Sequence, residues 1–508
     1  MLLTTLMLIP LIGSIAVFAL PVVRETLAKQ IALGVSILTA VGAIYLSTRL
    51  SGLGGGFAVT EKHEWIPAFG ISWSLGIDGI AGVLIVMATL LVPLVIIAGW
   101  NDVEKLGRGT VKGFFSLILI LEVFMIGVFA ATDLFLFYVF FEAMLIPVYF
   151  LIGRFGGPQR AYAAMKFLLY SLVGGLFMLA SLIGLYVVSA RQLGQGTFDF
   201  FALANMSIDP ATQKVLFLGF FFAFAIKAPM VPFHTWLPDA AAESTPGTST
   251  LLVGVLDKVG TFGMIRILLP IFPEASKYYT PIIIVLAVIS IFYGALLAIG
   301  QTDMMRLIAF SSVSHFGFIV MGIFAMTSQS MSGATFYMVN HGFSTGALFL
   351  VVGFLVSRRG SKKIEDFGGV SKVAPVLAGV FLLSGLSSLA LPGLSSFVSE
   401  FLVLLGTFSV YKDVAIIATF GIVLAAFYIL WMYQRTMTGE PSTEVSETVT
   451  EITRRELFAI VPILAIIIGL GIFPQVALKV INPTVNQIQT HVGLFDPAAN
   501  TTPSGSGS

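Results

Sequence analysis

The 508-residue sequence contains no cysteine. That excludes disulfides, thiolate zinc sites, iron–sulfur ligation and covalent c-type haem attachment, so any electron transfer linked to this chain takes place elsewhere. Charge is also scarce. Only 10% of residues are Asp, Glu, Lys or Arg, against about 25% in ordinary soluble domains, and a soluble chain of this length could not cover its surfaces with so little. The balance of 27 basic to 26 acidic residues leaves neither a basic footprint for nucleic acid nor an acidic tail. The five histidines never fall in His-x-x-His or His-Glu-x-x-His spacing, so no metal motif is present. Gly54-Gly55-Gly56 lacks the strand–helix context of a nucleotide fingerprint. The chain is expected to bind no cofactor or metal of its own.

What fills the sequence is apolar: 57% of residues are hydrophobic and the mean hydropathy is +0.99. Apolar stretches of about 20 residues, the length that spans a bilayer, recur from end to end. The expected fold is an all-α polytopic membrane protein with fourteen transmembrane helices, at 2–20, 28–48, 77–99, 112–132, 133–153, 164–189, 214–232, 248–269, 280–300, 303–326, 331–356, 374–408, 413–436 and 456–473. Met1–Leu20 lacks the basic n-region and Ala-x-Ala site of a secretory signal and is read as the first span. Seventeen Lys and Arg lie near the exits of odd-numbered helices and eight on the opposite side. Positive loops stay cytoplasmic, which places both termini on the non-cytoplasmic side of a bacterial-type plasma membrane.

Ionisable residues inside the spans carry the functional information, because each costs about 3 kcal/mol at a helix centre even on the lenient insertion scale. Glu142 lies mid-way along helix 5, Lys227 in helix 7, Lys258 after Asp257 in helix 8, Glu400 in helix 12 and Glu122 in helix 4. Unpartnered, the five acids and bases Glu122, Glu142, Lys227, Lys258 and Glu400 would together cost about 15 kcal/mol, comparable with a whole domain's stability. They must pair, meet water or be neutral. A single Lys–Glu pair could be structural glue, but acids and bases spread over helices 5, 7, 8 and 12 have the composition of a proton relay, since burial disfavours the charged form of both types. Glu122 could equally be hydrogen-bonded between helices.

Helix 7 carries a second signal. Pro229 and Pro232 remove the backbone donors for the carbonyls of Ala225 and Ala228, and a helix break at membrane depth is tolerated only inside protein or beside water. Pro392-Gly393 interrupts helix 12 in the same way, ahead of Glu400. The five-helix offset fits two inverted repeats, each with one broken helix. The expected organisation is 1–111 for helices 1–3, 112–269 for the first repeat of helices 4–8, 280–436 for the second repeat of helices 9–13, 456–473 for helix 14, and 474–508 as a partly disordered tail ending in the low-complexity run 500–508. His315 and His341 fall within helices 10 and 11, where a histidine that accepts on one nitrogen and donates from the other suits a link between Lys258 and Glu400. The roles of His234 and Asp257 stay open.

The runs Phe137-Tyr-Val-Phe-Phe-Glu142-Ala-Met-Leu-Ile-Pro147, Lys227-Ala-Pro-Met-Val-Pro-Phe-His-Thr-Trp-Leu-Pro-Asp239, Arg306-Leu-Ile-Ala-Phe-Ser-Ser-Val-Ser-His315 and Phe397-Val-Ser-Glu400-Phe resemble the antiporter-like membrane subunits of respiratory complex I. The resemblance covers residues 1–480 and is to the M type, chain 4 in mitochondrial naming, through the Phe-Glu-Ala-Met-Leu-Ile-Pro run and Glu400, where the L and N types tend to have lysine. It implies proton pumping coupled to quinone reduction in other subunits. Glu142 and Lys227 would be a modulating ion pair, Lys258 the central relay, His315 and His341 the bridge, and Glu400 the terminal site toward the periplasm. NADH, flavin, iron–sulfur clusters and quinone would belong to partner subunits, and the partners would be the other subunits of the complex, above all neighbouring antiporter-like chains. The sequence departs from the family pattern at Ala241, where relatives often have His, at Met305, where they often have Lys, and at Asp257. A subunit of a multisubunit cation/proton antiporter and a non-conducting membrane anchor are the alternative readings.

Overall fold

The computed structural model describes residues 1–50 and 54–497; the expectation for 500–508 lies outside them. The chain is mostly helical. Among the described residues, twelve helices are long and apolar enough to cross a membrane: Leu2–Ala19, Glu25–Leu50, Gly79–Ala98, Val111–Ala130, Leu134–Phe155, Arg160–Leu193, Pro210–Lys227, Pro273–Ile299, Met304–Phe324, Ser328–Arg359, Lys412–Met437 and Arg454–Ile472. Their starts follow from capping chemistry. The carboxylates of Asp78, Asp133, Asp209 and Asp303 each accept backbone N–H groups of a following first turn, and Thr327 with Ser330 and Thr453 with Glu456 close reciprocal capping boxes.

The two other expected spans have a different construction. Residues 246–271 form a helix in which α-helical pieces Pro246–Leu251, Lys258–Gly263 and Leu269–Ile271 alternate with π-helical turns at Leu252–Leu256 and Met264–Leu268. The 374–408 run divides into Pro375–Ser388 and Ser395–Phe408, with the chain unwound between them and Ala390 and Gly393 at positive φ, +58° and +96°. The Pro210–Lys227 helix likewise ends at Lys227, and the chain resumes as Trp236–Glu243. Its freed carbonyls are satisfied within the protein: Ala225 accepts from the Met230 N–H at 3.0 Å and Ile226 from the Trp236 indole at 2.9 Å.

Position in the bundle follows polarity. Met304–Phe324 is wholly buried and Ser328–Arg359 nearly so, and these two helices carry His315, Asn340, His341 and many hydroxyls. The Glu25–Leu50, Lys412–Met437 and Arg454–Ile472 helices bury only a minority of their surface and turn large apolar side chains such as Val41, Phe420 and Phe458 outward. Lipid tolerates the second kind and not the first.

Two elements were not legible as such. Residues between the second and third helices form an antiparallel hairpin, Ala58–Ile66 with Ile71–Ile77, where the charged run Glu61-Lys62-His63-Glu64 conceals the strand. Glu61 is buried and binds the N-terminal ammonium at 2.8 Å, the Leu3 N–H at 2.8 Å and the Thr4 hydroxyl at 2.7 Å. Burial works to raise its carboxyl and these donors outweigh it, holding it below the ordinary value. The 474–508 stretch, expected as tail, contains the helix Gln475–His491. Ala477, Leu478, Ile481, Val485 and Ile488 recur on one face of it and are buried, against the Gly79–Ala98 and Ser328–Arg359 helices. Gly79 has no room for a Cβ because the Val480 carbonyl oxygen lies within 1.9 Å of where one would sit.

Candidate functional site

Glu142 is next to last in the Leu134–Ala143 helix, before the turn at Met144 that joins it to Leu145–Phe155. Its carboxylate is turned onto the Arg160–Leu193 helix at Gly175, where a Cβ would lie 1.7 Å from Oε1. Only a glycine leaves that space. Lys227, at the end of its helix and buried, extends between two aromatic rings, its Nζ 5.1 Å from the Phe141 centroid and 5.4 Å from that of Phe167. A desolvated ammonium is favoured there by the ring quadrupoles. It finds no hydrogen-bond acceptor among the described residues. Glu142 and Lys227, expected from the resemblance as a modulating ion pair, make no direct salt bridge among the described residues. Phe141, the residue preceding Glu142, occupies the place beside the ammonium, and Glu142 acts on Lys227 through space.

Lys258 is fully buried and reaches into the centre of the bundle. Its Nζ lies 2.6 Å from His341 Nδ1, beside the Val253 carbonyl, and 5.1 Å from the Phe316 centroid. The Val253 carbonyl stands within the π-helical turn Leu252–Leu256, five residues before the lysine whose side chain reaches it. The rings of His341 and His315 are 5.2 Å apart, edge to face. On the far side of His315, the Tyr428 hydroxyl lies 3.5 Å from Nε2 and the Tyr337 ring 6.0 Å away. Both tyrosines are buried within electrostatic reach of Glu400. Glu400 sits in the Ser395–Phe408 helix one turn beyond the unwound segment, whose end is held by Asn340 donating to the Ser395 carbonyl at 2.9 Å and to the Ser399 hydroxyl at 3.2 Å.

Lys258, His341 and His315 thus lie in succession, with Tyr337 and Tyr428 beside His315 and within electrostatic reach of Glu400, while Glu142 and Lys227 form a second group. Tyr337 and Tyr428 were missed by sequence reasoning. Tyr337 had a signal, since it stands four residues before His341 on the same helix face; Tyr428 is a lone hydroxyl in an apolar run. Glu122 is fully buried, with neither oxygen hydrogen-bonded among the described residues. His234 stands apart, its ring 5.2 Å from Tyr293 and 6.3 Å from Phe310. At one end of the bundle Asp239 joins Lys166 at 2.7 Å and Arg306 at 2.6 Å. Burial works to raise the Asp239 carboxyl, and the bonds from Lys166 and Arg306 outweigh it, holding the group below the ordinary carboxylate range. Beside this cluster opens a cavity of about 630 Å³ lined by Asp102, Glu243, Asp303, Lys362 and Arg455 among others.

The stretch from Glu142 to Glu400 falls inside a match, over residues 131–425, to the family described as NADH:quinone oxidoreductase/Mrp antiporter, TM. The chain belongs to this family. Within it the similarity is to the M type. NADH-quinone oxidoreductase subunit M of Mycobacterium tuberculosis is 50% identical over 98% of this chain and 95% of its own length. NADH-ubiquinone oxidoreductase chain 4 of Marchantia polymorpha is 36% identical over 97% and 98%. Among solved structures, a chain of respiratory complex I from Thermus thermophilus with bound NADH superposes with a TM-score of 0.87 at 30% identity, covering 97% of this chain and 100% of that one. A chain of the Mrp complex from Dietzia sp. gives 0.85 at 21% identity, over 97% and 99%, a likeness of fold. Members of this family work as subunits of multisubunit membrane complexes, and this chain is one of them.

Proposed function

We propose that the chain is a proton-translocating membrane subunit of an NADH:quinone oxidoreductase, driven by quinone reduction in other subunits. The observation that supports this reading is the buried succession of Lys258, His341, His315 and the Tyr428 hydroxyl, with Glu400 within electrostatic reach of Tyr428. Lys258 passes a proton to His341 Nδ1. The His315 ring, 5.2 Å away and edge to face, receives it next. From His315 the proton goes by way of the Tyr428 hydroxyl to Glu400. The loops at the unwound segments, one after Lys227 and one before Glu400, border this path as broken helices do at ion sites in transporters.

In this reading NADH, flavin, iron–sulfur clusters and quinone are held by partner subunits, and this chain does the proton work. The subunit lies in a bacterial-type plasma membrane with both termini outside the cytoplasm, and its helices form two inverted repeats, 112–269 and 280–436. The test is Lys258→Ala in the assembled complex, with proton uptake by inverted membrane vesicles measured beside NADH oxidation. The expected result is loss of most proton uptake per NADH oxidised with the complex assembled. Normal uptake at normal assembly would refute the reading.

A further inference from the structure

Asp257 is fully buried in the middle of the bundle, yet neither of its carboxylate oxygens has a hydrogen-bond partner among the described residues. A carboxyl in that position is expensive, and the relay described above does not use it. Its placement is set by how the 258–263 helix meets the end of the Pro210–Lys227 helix. Gly260 makes the contact: a Cβ there would lie 2.5 Å from the Phe224 carbonyl oxygen and 2.7 Å from the Ala228 nitrogen. Asp257 is three residues before Gly260 and shares that face, whereas Lys258 leaves the helix on the next face, toward His341. Neighbouring residues therefore point to two different partners. The Asp257 carboxylate lies within electrostatic reach of both Lys227 and Lys258, and Lys227 in turn feels Glu142 and Asp257 together.

We propose that Asp257 is a proton-carrying member of the relay, receiving a proton from Lys227 and delivering it to Lys258. The inference rests on the proton-translocation reading and extends its path back from the central lysine to the aromatic cradle of Lys227. In the first step the Lys227 ammonium gives a proton to the Asp257 carboxylate, leaving a neutral amine and a carboxylic acid. In the second, the acid gives that proton to the neutral Lys258 amine, leaving carboxylate and ammonium. One proton has moved from Lys227 to Lys258, and Asp257 ends as it began. Two like charges on adjacent lysines are never required at once, because the carboxylate offsets each in turn.

The experiment uses the whole complex in inverted membrane vesicles, comparing Asp257→Asn, Asp257→Glu and Lys258→Ala for assembly, NADH oxidation and proton uptake, together with redox-triggered infrared difference spectra. Asp257→Asn should lower proton uptake by at least about a hundredfold, the lower end of what a positioned proton donor contributes, while Asp257→Glu keeps a titrating carboxyl and recovers most of it. The wild-type spectrum should show a carboxyl C=O band that shifts on isotope labelling of aspartate and disappears in Asp257→Asn. If the Asn variant fails to assemble, Asp257→Glu assigns the band instead, by its loss from the aspartate-labelled spectrum, since a fixed counter-ion would show no protonation during turnover. Normal uptake by Asp257→Asn beside a dead Lys258→Ala overturns this inference alone. Normal uptake by Lys258→Ala overturns the proposed function with it, and a wild-type spectrum without an aspartate band overturns the carrier role.

Discussion

Replacing Gly175 by alanine probes the part proposed for Glu142 without substituting any titratable group. A Cβ at 175 would stand 1.7 Å from Glu142 Oε1 and 2.5 Å from its Cδ, against the 3.0 Å below which real contacts essentially never fall, so the carboxylate must retreat by more than about 1 Å. Overpacking a well-filled site by one methyl costs typically about 1–3 kcal/mol, which a bundle of this size survives. The functional cost is larger, because a misplacement of about 1 Å in a reacting geometry is worth up to about a hundredfold in rate. Gly175→Ala should therefore assemble normally and lose proton uptake by one to two orders of magnitude, close to the effect of Glu142→Gln. Gly174→Ala is the control, since a Cβ there meets the Ile226 side chain at 3.0 Å and no carboxylate. Uptake in vesicles, normalised to assembled complex, is the assay. If Gly175→Ala acts through Glu142, the double variant with Glu142→Gln is no worse than the worse single one. Strictly additive losses, or normal uptake by Gly175→Ala, would refute the reasoning.

Lys258→Arg should be nearly as inactive as Lys258→Ala in proton uptake, because a guanidinium keeps its proton; a functional Arg variant would show that the position only needs charge. Glu400→Gln should impair turnover more than Glu400→Asp, and equal effects would show that the side chain only fills space. Tyr428→Phe removes the hydroxyl 3.5 Å from His315 Nε2 and should slow proton uptake several-fold at unchanged assembly; an unaffected rate would exclude it from the path. Asp239→Asn leaves Lys166 and Arg306 without their shared carboxylate and should destabilise the complex by about 1–3 kcal/mol in thermal melts, charge-assisted bonds in a half-buried site being worth that much. Because the folded-state carboxyl is held below its ordinary value, the wild-type advantage is complete above the ordinary carboxylate range and fades as pH falls through the lowered value. An advantage that vanished on going alkaline instead would contradict the assignment.

How far the sequence could be read depended on whether a signal was local. Membrane spans were legible because a bilayer demands about 20 apolar residues in a row, and Glu142, Lys227, Lys258 and Glu400 stood out against that background for the same reason. The broken helices were legible from Pro229, Pro232 and Pro392-Gly393, since proline removes a donor wherever it stands. What could not be read was three-dimensional choice between alternatives of equal local cost. Lys227 could have met Glu142 or an aromatic face, and only the packing of the Arg160–Leu193 helix, which brings Phe167 against it and Gly175 against Glu142, decides for the rings. Tyr428 joins His315 across 113 residues of chain, a separation no periodicity reports. The Ala58–Ile66 strand and the Gln475–His491 helix were hidden because both are mixed in polarity, one by its charges and one by a polar face that span-counting passes over.

The π-helical turn at Leu252–Leu256 has a consequence for how this protein can evolve. Such a turn is the trace of one residue more than an α-helix would hold, and everything beyond it is rotated by about 100°, one residue's worth of a helix with 3.6 residues per turn. Deleting a single codon there would restore a regular helix, and in doing so would swing Asp257 away from the Lys227 side and Lys258 away from His341 together. Substitutions can be tried one at a time within this segment, but its length cannot drift by even one amino acid.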